Sequence, residues 1–419
     1  MLKTFNFEKL PIVEIVNEII IDATKNRASD IHIDPFNDVL KIRIRIDGTL
    51  IDYATVPNDY KKNLVTRIKI IAGMNITENR LPQDGAIKTS LNGIPLDMRV
   101  SSLPTNNGEK IVIRILDYSM SIQGLEQLGF TKDNFEKIMK MINLPNGIIL
   151  VTGATGTGKS TTVYSILQRL NREEANVITV EDPVEMDIAG VNQVQVNSEI
   201  GLTFANVLRS ILRQDPDIIM IGEIRDDETA TIAVRASVTG HLVLSTIHTN
   251  NSLNTIERLL DMEVERYLLA ASLSGIISQK LARKLCPHCR KKITPTPYEK
   301  YLFKKNLGID LNEIYVAGDG CDNCMNGYRG RIAIHEVLLI DEDIRDAISN
   351  NVRKEDLRKL VYSENVHTLL QDGLIKVAQG LTSFEEIIKL IELDVEDIVI
   401  PKGENAENNN VQDSNVEQK

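Results

Sequence analysis

Tryptophan is absent from the 419 residues, although an apolar content of 42% is ordinary for a soluble protein. No apolar run approaches the roughly 18 residues that a membrane-spanning helix requires. The opening Met1-Leu-Lys-Thr-Phe-Asn lacks the charged and apolar regions of a secretory leader. The expectation is a cytosolic protein that reaches any membrane only through a partner. Positive charge is not in excess either. The formal net charge of −11 argues against a duplex-binding protein, because phosphate contacts need a basic surface. Cysteine is scarce, and all four fall in two pairs, Cys286-Pro-His-Cys289 and Cys321-Asp-Asn-Cys324. Paired C-x-x-C knuckles hold tetrahedral Zn²⁺ through four thiolates. Two disulfides or four free thiols are the alternatives, and a reducing compartment disfavours the disulfides. His288 could replace one thiolate, but its place inside a knuckle suits a spectator.

One stretch matches G-x-x-x-x-G-K-[ST] in full: Gly153-Ala154-Thr155-Gly156-Thr157-Gly158-Lys159-Ser160, followed by Thr161. The apolar run Gly147-Ile-Ile-Leu-Val151 before it reads as a buried strand, and residues 160–169 after it have helical spacing. This is the context a phosphate loop requires, with backbone N–H groups around a phosphate at a helix N-terminus. Lys159 would reach the β- and γ-phosphates of a nucleoside triphosphate, and Ser160 would ligate Mg²⁺.

The length allows two to three domains. Pro11 and an apolar stripe at Ile12, Ile15, Val16, Ile19 and Ile20 predict an amphipathic helix. Ala28-Ser-Asp-Ile-His-Ile-Asp-Pro35 and Leu40-Lys-Ile-Arg-Ile-Arg-Ile46 alternate as strands do, and Asp47-Gly48 signals a hairpin. The isoleucines should face a core, leaving Arg43 and Arg45 on a solvated edge. A helix over 60–72, a polar loop over 79–85 and strands near 86–89 and 95–101 complete a small α/β domain, 1–117. A linker, 118–128, leads to a second domain, 129–400. There strand-like and helical segments alternate, which implies a doubly wound, mostly parallel sheet. Residues 341–393 read as helical. The tail, 401–419, is rich in Asn, Glu and Gln and reads as disordered. No internal repeat is apparent.

Four segments of the second domain carry the chemistry. Val177-Ile-Thr-Val180 ends in Glu181-Asp-Pro-Val-Glu185, placing carboxylates at a strand's C-terminal edge, toward a nucleotide crevice. Ile218-Ile-Met-Ile221 is followed by Gly222-Glu223, and Glu223 is the candidate catalytic carboxylate. Gly222 stands where an Asp is usual, so Mg²⁺ must lean on Ser160 and outer-shell groups. An apolar strand is bracketed by His241 and His248, either of which could sense a γ-phosphate. Arg209 and Arg213 stand at i and i+4, on one helical face, where they could stabilise phosphoryl charge.

Together these segments resemble the secretion ATPases of type II secretion and type IV pilus assembly, the GspE/PulE/PilB family. The match runs from about residue 11 to 393. It rests on Ala28-Ser-Asp-Ile-His-Ile-Asp-Pro35, Pro82-Gln-Asp-Gly85, Leu208-Arg-Ser-Ile-Leu-Arg-Gln-Asp-Pro-Asp217, Gly222-Glu-Ile-Arg-Asp226, Thr239-Gly-His-Leu-Val-Leu-Ser-Thr246 and the paired cysteines. The resemblance implies a small PAS-like domain and a RecA-like ATPase domain carrying a zinc region, 286–324. By motif, 181–185 is similar to the family's Asp box, Gly222-Glu223 to its Walker B and 241–248 to its His box. Arg99 and Arg114 fall where the family brings arginines from the small domain to ATP, and Arg209 and Arg213 match arginines of the large one. The implied activity is ATP hydrolysis by a homohexamer that drives pilin-like subunits from the inner membrane, docked on an inner-membrane platform protein. Assembly is favoured over retraction by the cysteine pairs and by 208–217. Ala86 departs from the family's usual Arg, and the expectation is a chain that begins almost at the small domain, without the additional N-terminal domain of longer members. A DNA-handling motor and a non-hydrolysing scaffold are the competing readings. The acidic total charge disfavours the first, while Glu223 and the four arginines disfavour the second.

Overall fold

The computed structural model describes residues 3–91, 94–116, 124–363 and 365–391. The expected tail, 401–419, lies outside the described residues, as does the first part, 118–123, of the expected linker. The chain opens with α1 (Ile12–Lys25), β1 (Ala28–Pro35), β2 (Val39–Ile46), β3 (Thr49–Pro57), α2 (Asn58–Ile71), β4 (Gln83–Leu91), β5 (Ile94–Thr105) and β6 (Gly108–Leu116). The strands form one sheet, ordered β3-β2-β1-β6-β5-β4, with every pair antiparallel. Period-2 alternation turns Leu40, Ile42 and Ile44 to the same core as Ile31 and Ile33. The stripe of α1 and Leu64 and Ile68 of α2 pack into that core. Asp47 and Gly48 both have positive φ, 48° and 86°, as a two-residue hairpin with matching twist requires.

The other face of this sheet is not the solvated edge expected of Arg43 and Arg45. β2 lies inside the sheet, and its register sets Arg45 opposite Asp30, with Asp34 one step from Arg43. Arg43 donates to the buried Asp34 carboxylate at 2.8 Å, and Lys110 pairs with its other oxygen. Two buried aspartates on β1 thus draw the arginines in, a cross-strand demand that reading β2 alone does not reveal.

The chain continues through α3 (Lys132–Ile142), β7 (Gly147–Thr152), α4 (Lys159–Leu170), β8 (Val177–Glu181), β9 (Asn192–Gln195), α5 (Phe204–Ile211), β10 (Ile218–Ile221), α6 (Asp227–Val238), β11 (Leu242–Ile247), α7 (Ser252–Asp261), α8 (Arg266–Ser272) and β12 (Leu273–Leu285). Then come β13 (Lys291–Ile293), α9 (Pro297–Leu307), β14 (Ile314–Val316), β15 (Tyr328–Leu339), α10 (Glu342–Ser349), α11 (Lys354–Val361), α12 (Leu369–Ala378) and α13 (Phe384–Leu390). The larger sheet is ordered β15-β12-β7-β11-β10-β8-β9 and is parallel from β12 to β9. β7 shows why it is doubly wound. Ile148 and Leu150 join the core formed with α5, α6 and α7, while Ile149 and Val151 join the one formed with α3 and α4. A strand covered on both faces is apolar throughout.

The chain divides into two compact units, Met1–Arg283 with Arg329–Leu369, and Lys284–Tyr328 with the chain from Leu370 onward. The six-stranded sheet and the phosphate-loop strand fall in the first unit, and the four cysteines fall in the second.

Burial alone would raise the Asp34 pKa, but the hydrogen bonds from Lys110 and Arg43 outweigh it and hold the carboxyl below its usual value of 3.8. A folded pKa below the unfolded one contributes stability that is present above about pH 4 and lost as pH falls through the folded value. Asp34→Asn is expected to cost about 2 kcal/mol at neutral pH and to flatten the acid limb of stability. Urea denaturation from pH 7 to 3 measures both.

Candidate nucleotide site and cysteine cluster

β7 passes into α4 through the loop of residues 153–158, and two glycines shape that passage. At Gly153 φ is 153°, and a Cβ there would lie 2.5 Å from both the Gln279 carbonyl oxygen and the Thr157 hydroxyl. Gly158, at φ 89°, is the left-handed residue before the first turn of α4, a conformation glycine adopts at little cost. The loop rests on β12, the parallel neighbour of β7. Gln279, buried there, donates from its amide to the Thr157 carbonyl at 2.7 Å and accepts from the Thr162 hydroxyl at 2.8 Å. Ala154, Thr155 and Gly156 stay exposed, while Ser160 and Thr161 are half-buried in the first turn of α4.

Lys159 is 8% exposed, and its ammonium donates to the Gly153 and Ala154 carbonyls at 2.9 and 3.0 Å. Burial lowers its pKa, against the opposing pull of Glu223 and then Glu185. Both carboxylates therefore lie within electrostatic reach of the lysine. Glu223 leaves the C-terminal end of β10, and its carboxylate sits between the Arg225 guanidinium and His248, whose Nε2 is 3.4 Å from Oε2. The meeting follows from topology. β10 and β11 are parallel neighbours, with Ile221 opposite Ser245, so residues just beyond both strands emerge on one edge. The residue after His248 is anchored separately, because the Thr249 N–H donates to the Thr152 hydroxyl at 3.1 Å and its own hydroxyl bonds Thr255 at 2.6 Å. Gly222 comes close to β8, and a Cβ there would lie 3.3 Å from the Glu181 Cα. The Asp side chain usual at this position would press on that strand.

The two histidines of the His box part company. His241 precedes β11, about 20 Å of strand away from His248, and its Nδ1 lies 2.9 Å from the Ala236 carbonyl at the end of α6. The carboxylates of 181–185 also part. Glu181 shares a face with Thr179, two residues earlier, and both are buried. Its carboxylate accepts from Tyr164, from Thr179 at 2.6 Å and from Gln193 at 3.1 Å, so it points into the fold rather than into the crevice. Glu185 is exposed and on the lysine's side.

Of the four arginines, Arg99 alone has a described contact with this edge, a 3.2 Å bond from its guanidinium to the Val184 carbonyl. Arg114 is opposite Arg99 on the neighbouring strand, but it bonds the buried Asp30 at 3.1 Å. Ala86 stands opposite Arg99 on the other side, so the Arg expected there would have added a further cation beside Arg99. Arg209 pairs with Glu228, and Arg213 donates to the Arg209 carbonyl at 2.7 Å and to the Ser210 hydroxyl at 3.2 Å. Arg213 lies in the turn just past α5, so the two arginines do not share a helical face as expected, and their described contacts with α5 and α6 do not reach the phosphate loop. Gln279 and Tyr164 carry no motif of their own and were not legible as site residues, whereas Arg225 lies inside the Gly222-Glu-Ile-Arg-Asp226 motif.

In the second unit the four cysteine sulfurs lie within 4.8 Å of one another. Three separations are 3.8 Å (Cys286 to Cys321), 3.6 Å (Cys289 to Cys324) and 3.6 Å (Cys321 to Cys324). A disulfide would need about 2.05 Å, and none is formed. Four thiolates about 2.3 Å from a central ion would stand about 3.8 Å apart, so the cluster has the dimensions of a tetrahedral metal site. Gly318 permits this closure, since a Cβ there would lie 1.9 Å from the Cys289 carbonyl oxygen. Among the described residues the group consists of the four cysteines, and His288 is not part of it.

A family described as type II/IV secretion system protein matches residues 6–389. The chain belongs to that family. Among its relatives is type II secretion system protein E of Dickeya dadantii strain 3937, 45% identical over 381 residues, which cover 91% of this chain and 76% of the relative. The type IV pilus assembly ATPase PilB of Thermus thermophilus is 45% identical over 380 residues, covering 90% of this chain and 42% of its own. Among solved structures, the pilus retraction motor PilT with bound ADP superposes with a TM-score of 0.61 at 27% identity, covering 93% of this chain and 99% of that one. The Legionella pneumophila ATPase DotB reaches 0.70 at 23% identity, covering 93% and 98%. The architecture of this family member is thus a RecA-like core joined to a small α/β sheet, with a four-cysteine cluster. No described helix is long and apolar enough to cross a membrane.

Gln279→Met keeps the volume but leaves the Thr157 carbonyl and Thr162 hydroxyl without that partner. The expected cost is about 1–3 kcal/mol of stability together with weaker nucleotide binding, measured by chemical denaturation and by titration with a fluorescent ATP analogue.

Proposed function

We propose that this secretion-family protein is an ATP hydrolase, acting as a homohexameric motor that assembles or exports pilin-like proteins on an inner-membrane platform. The observation that carries the reading is the convergence of Lys159, Glu223, His248 and Glu185 at the C-terminal edge of one parallel sheet, beside a complete phosphate loop. Loop N–H groups and Lys159 bind the β- and γ-phosphates, and the ammonium leaves its two carbonyls to do so. Ser160 would hold Mg²⁺, an ion that would supply positive charge against the phosphates. Glu223 accepts a proton from the attacking water, and His248 orients that carboxylate from its other side. Glu185 adds a second carboxylate within electrostatic reach of the lysine.

Arg99 and Arg114 supply positive charge from the small sheet, and Arg209 and Arg213 do so once subunits meet. Their ties to Val184, Asp30 and Glu228 are the contacts that nucleotide binding and ring closure have to exchange. The domain division into 1–117, a linker and 129–400 suits such motion. Cys286, Cys289, Cys321 and Cys324 would bind one structural Zn²⁺ that takes no part in the hydrolytic step.

Glu223→Gln should lower ATP turnover about 10²–10⁴-fold while leaving fluorescent-nucleotide binding intact. Wild-type turnover per subunit should rise with protein concentration. An unchanged rate in the variant would remove Glu223 from the chemistry, and a flat concentration dependence would remove the shared site. For the cluster, elemental analysis should find one zinc per chain. Chelation or Cys286→Ser should then lower the melting temperature of the second unit, because metal binding free energy is folding free energy.

A further inference from the structure

One buried group beside the site takes no part in the reading above. Tyr164 lies on α4, one turn beyond the phosphate loop, and is 4% exposed. Its hydroxyl donates to the Glu181 carboxylate and accepts from the Glu185 N–H at 3.2 Å. Glu181 cannot serve as a loose acceptor, because its other oxygen is taken by Thr179 and Gln193. Gln193 in turn binds the Met186 carbonyl at 2.9 Å and the Ile188 N–H at 2.7 Å. The turn after β8 is therefore pinned from below at residues 185, 186 and 188, by side chains reaching from α4 and β9. Arg99 bonds the same turn at Val184. The Glu185 side chain is exposed and within electrostatic reach of Lys159.

We propose that Tyr164 is a positioning residue for ATP hydrolysis, its hydroxyl tying the phosphate-loop helix to the turn that carries Glu185. The inference rests on the reading that Glu185 serves the nucleotide site. Burial, and then the neighbouring Glu181 carboxylate, raise the Tyr164 pKa, so the phenol stays protonated and remains a donor. Any shift of α4 on binding phosphate is passed through one hydroxyl to the Glu185 backbone. A misplacement of a catalytic group by about 1 Å can cost about 100-fold in rate, which makes a single hydroxyl sufficient.

The test compares the full chain with Tyr164→Phe, Glu185→Gln and the double variant. It measures kcat, KM and the affinity for a fluorescent ATP analogue. Tyr164→Phe should lower kcat about 10- to 100-fold with KM and analogue affinity held within about twofold. The double variant should fall little below Glu185→Gln, since both act on one group. If Glu185→Gln leaves kcat intact, the underlying reading fails and the inference with it. If Glu185→Gln loses activity while Tyr164→Phe does not, the positioning role alone is overturned. Affinity falling in step with kcat, or full additivity in the double variant, also overturns it, because Tyr164 would then be ordinary core. Should Tyr164→Phe fail to fold, Gln193→Met loosens the same turn from β9, and the same split between kcat and KM decides.

Discussion

The site depends on one parallel contact, that of β12 beside β7. A phosphate loop is bare backbone with its N–H groups turned outward, so its carbonyls and close-packed glycines need support from within. β12 provides it through Gln279, whose amide takes one loop carbonyl and whose carbonyl oxygen takes a hydroxyl of α4. The Gln279 backbone passes so near Gly153 that no side chain fits there. The strand order that brings Gln279 under the loop also brings β11 and β10 alongside, and with them His248 and Glu223. Moving one strand would dissolve both the support and the chemistry.

Charge at the site is arranged around the buried Lys159. Its ammonium is satisfied by two carbonyls of its own loop, and two carboxylates lie within reach without a described direct bond to it. Glu223 is meanwhile engaged by Arg225 and His248. A triphosphate would offer the lysine far more negative charge than two carbonyls do. The third carboxylate, Glu181, follows a different rule. A strand's alternation sends it to the buried face, where only a full set of donors makes a carboxylate tolerable, and it acts there as a strut.

The small sheet obeys the same electrostatic logic at larger scale. Across its strands runs a row of Arg45, Asp30, Arg114, Arg99 and Ala86. Adjacent cations on neighbouring strands repel, and Asp30 offsets that by holding Arg114 and Arg45. Arg99, farther from the carboxylate, is the one left to reach Val184. The cysteine cluster is independent of all this. Its sulfurs come from two segments more than thirty residues apart and close at a spacing that only a central ion or protonated thiols can satisfy.

Much of this protein was legible in the amino-acid order. Period-2 and period-3.6 patterns announced the hairpin at Asp47-Gly48, the amphipathic α1 and the buried β7, because each depends on residues a few positions apart. The phosphate loop and the cysteine knuckles were legible for the same reason, as local geometry imposed by glycine and by paired ligands. Tertiary structure alone decided what distant segments share. It turned Glu181 inward and Glu185 outward, separated His241 from His248 by the length of a strand, drew Arg43 and Arg45 onto the buried aspartates of β1, and set Gln279 and Tyr164 beneath the site. Those outcomes depend on strand order and register, which arise from pairing between separate segments, 9 residues apart for Arg43 and Asp34 and 122 for Gln279 and Thr157, and leave no pattern within any one of them.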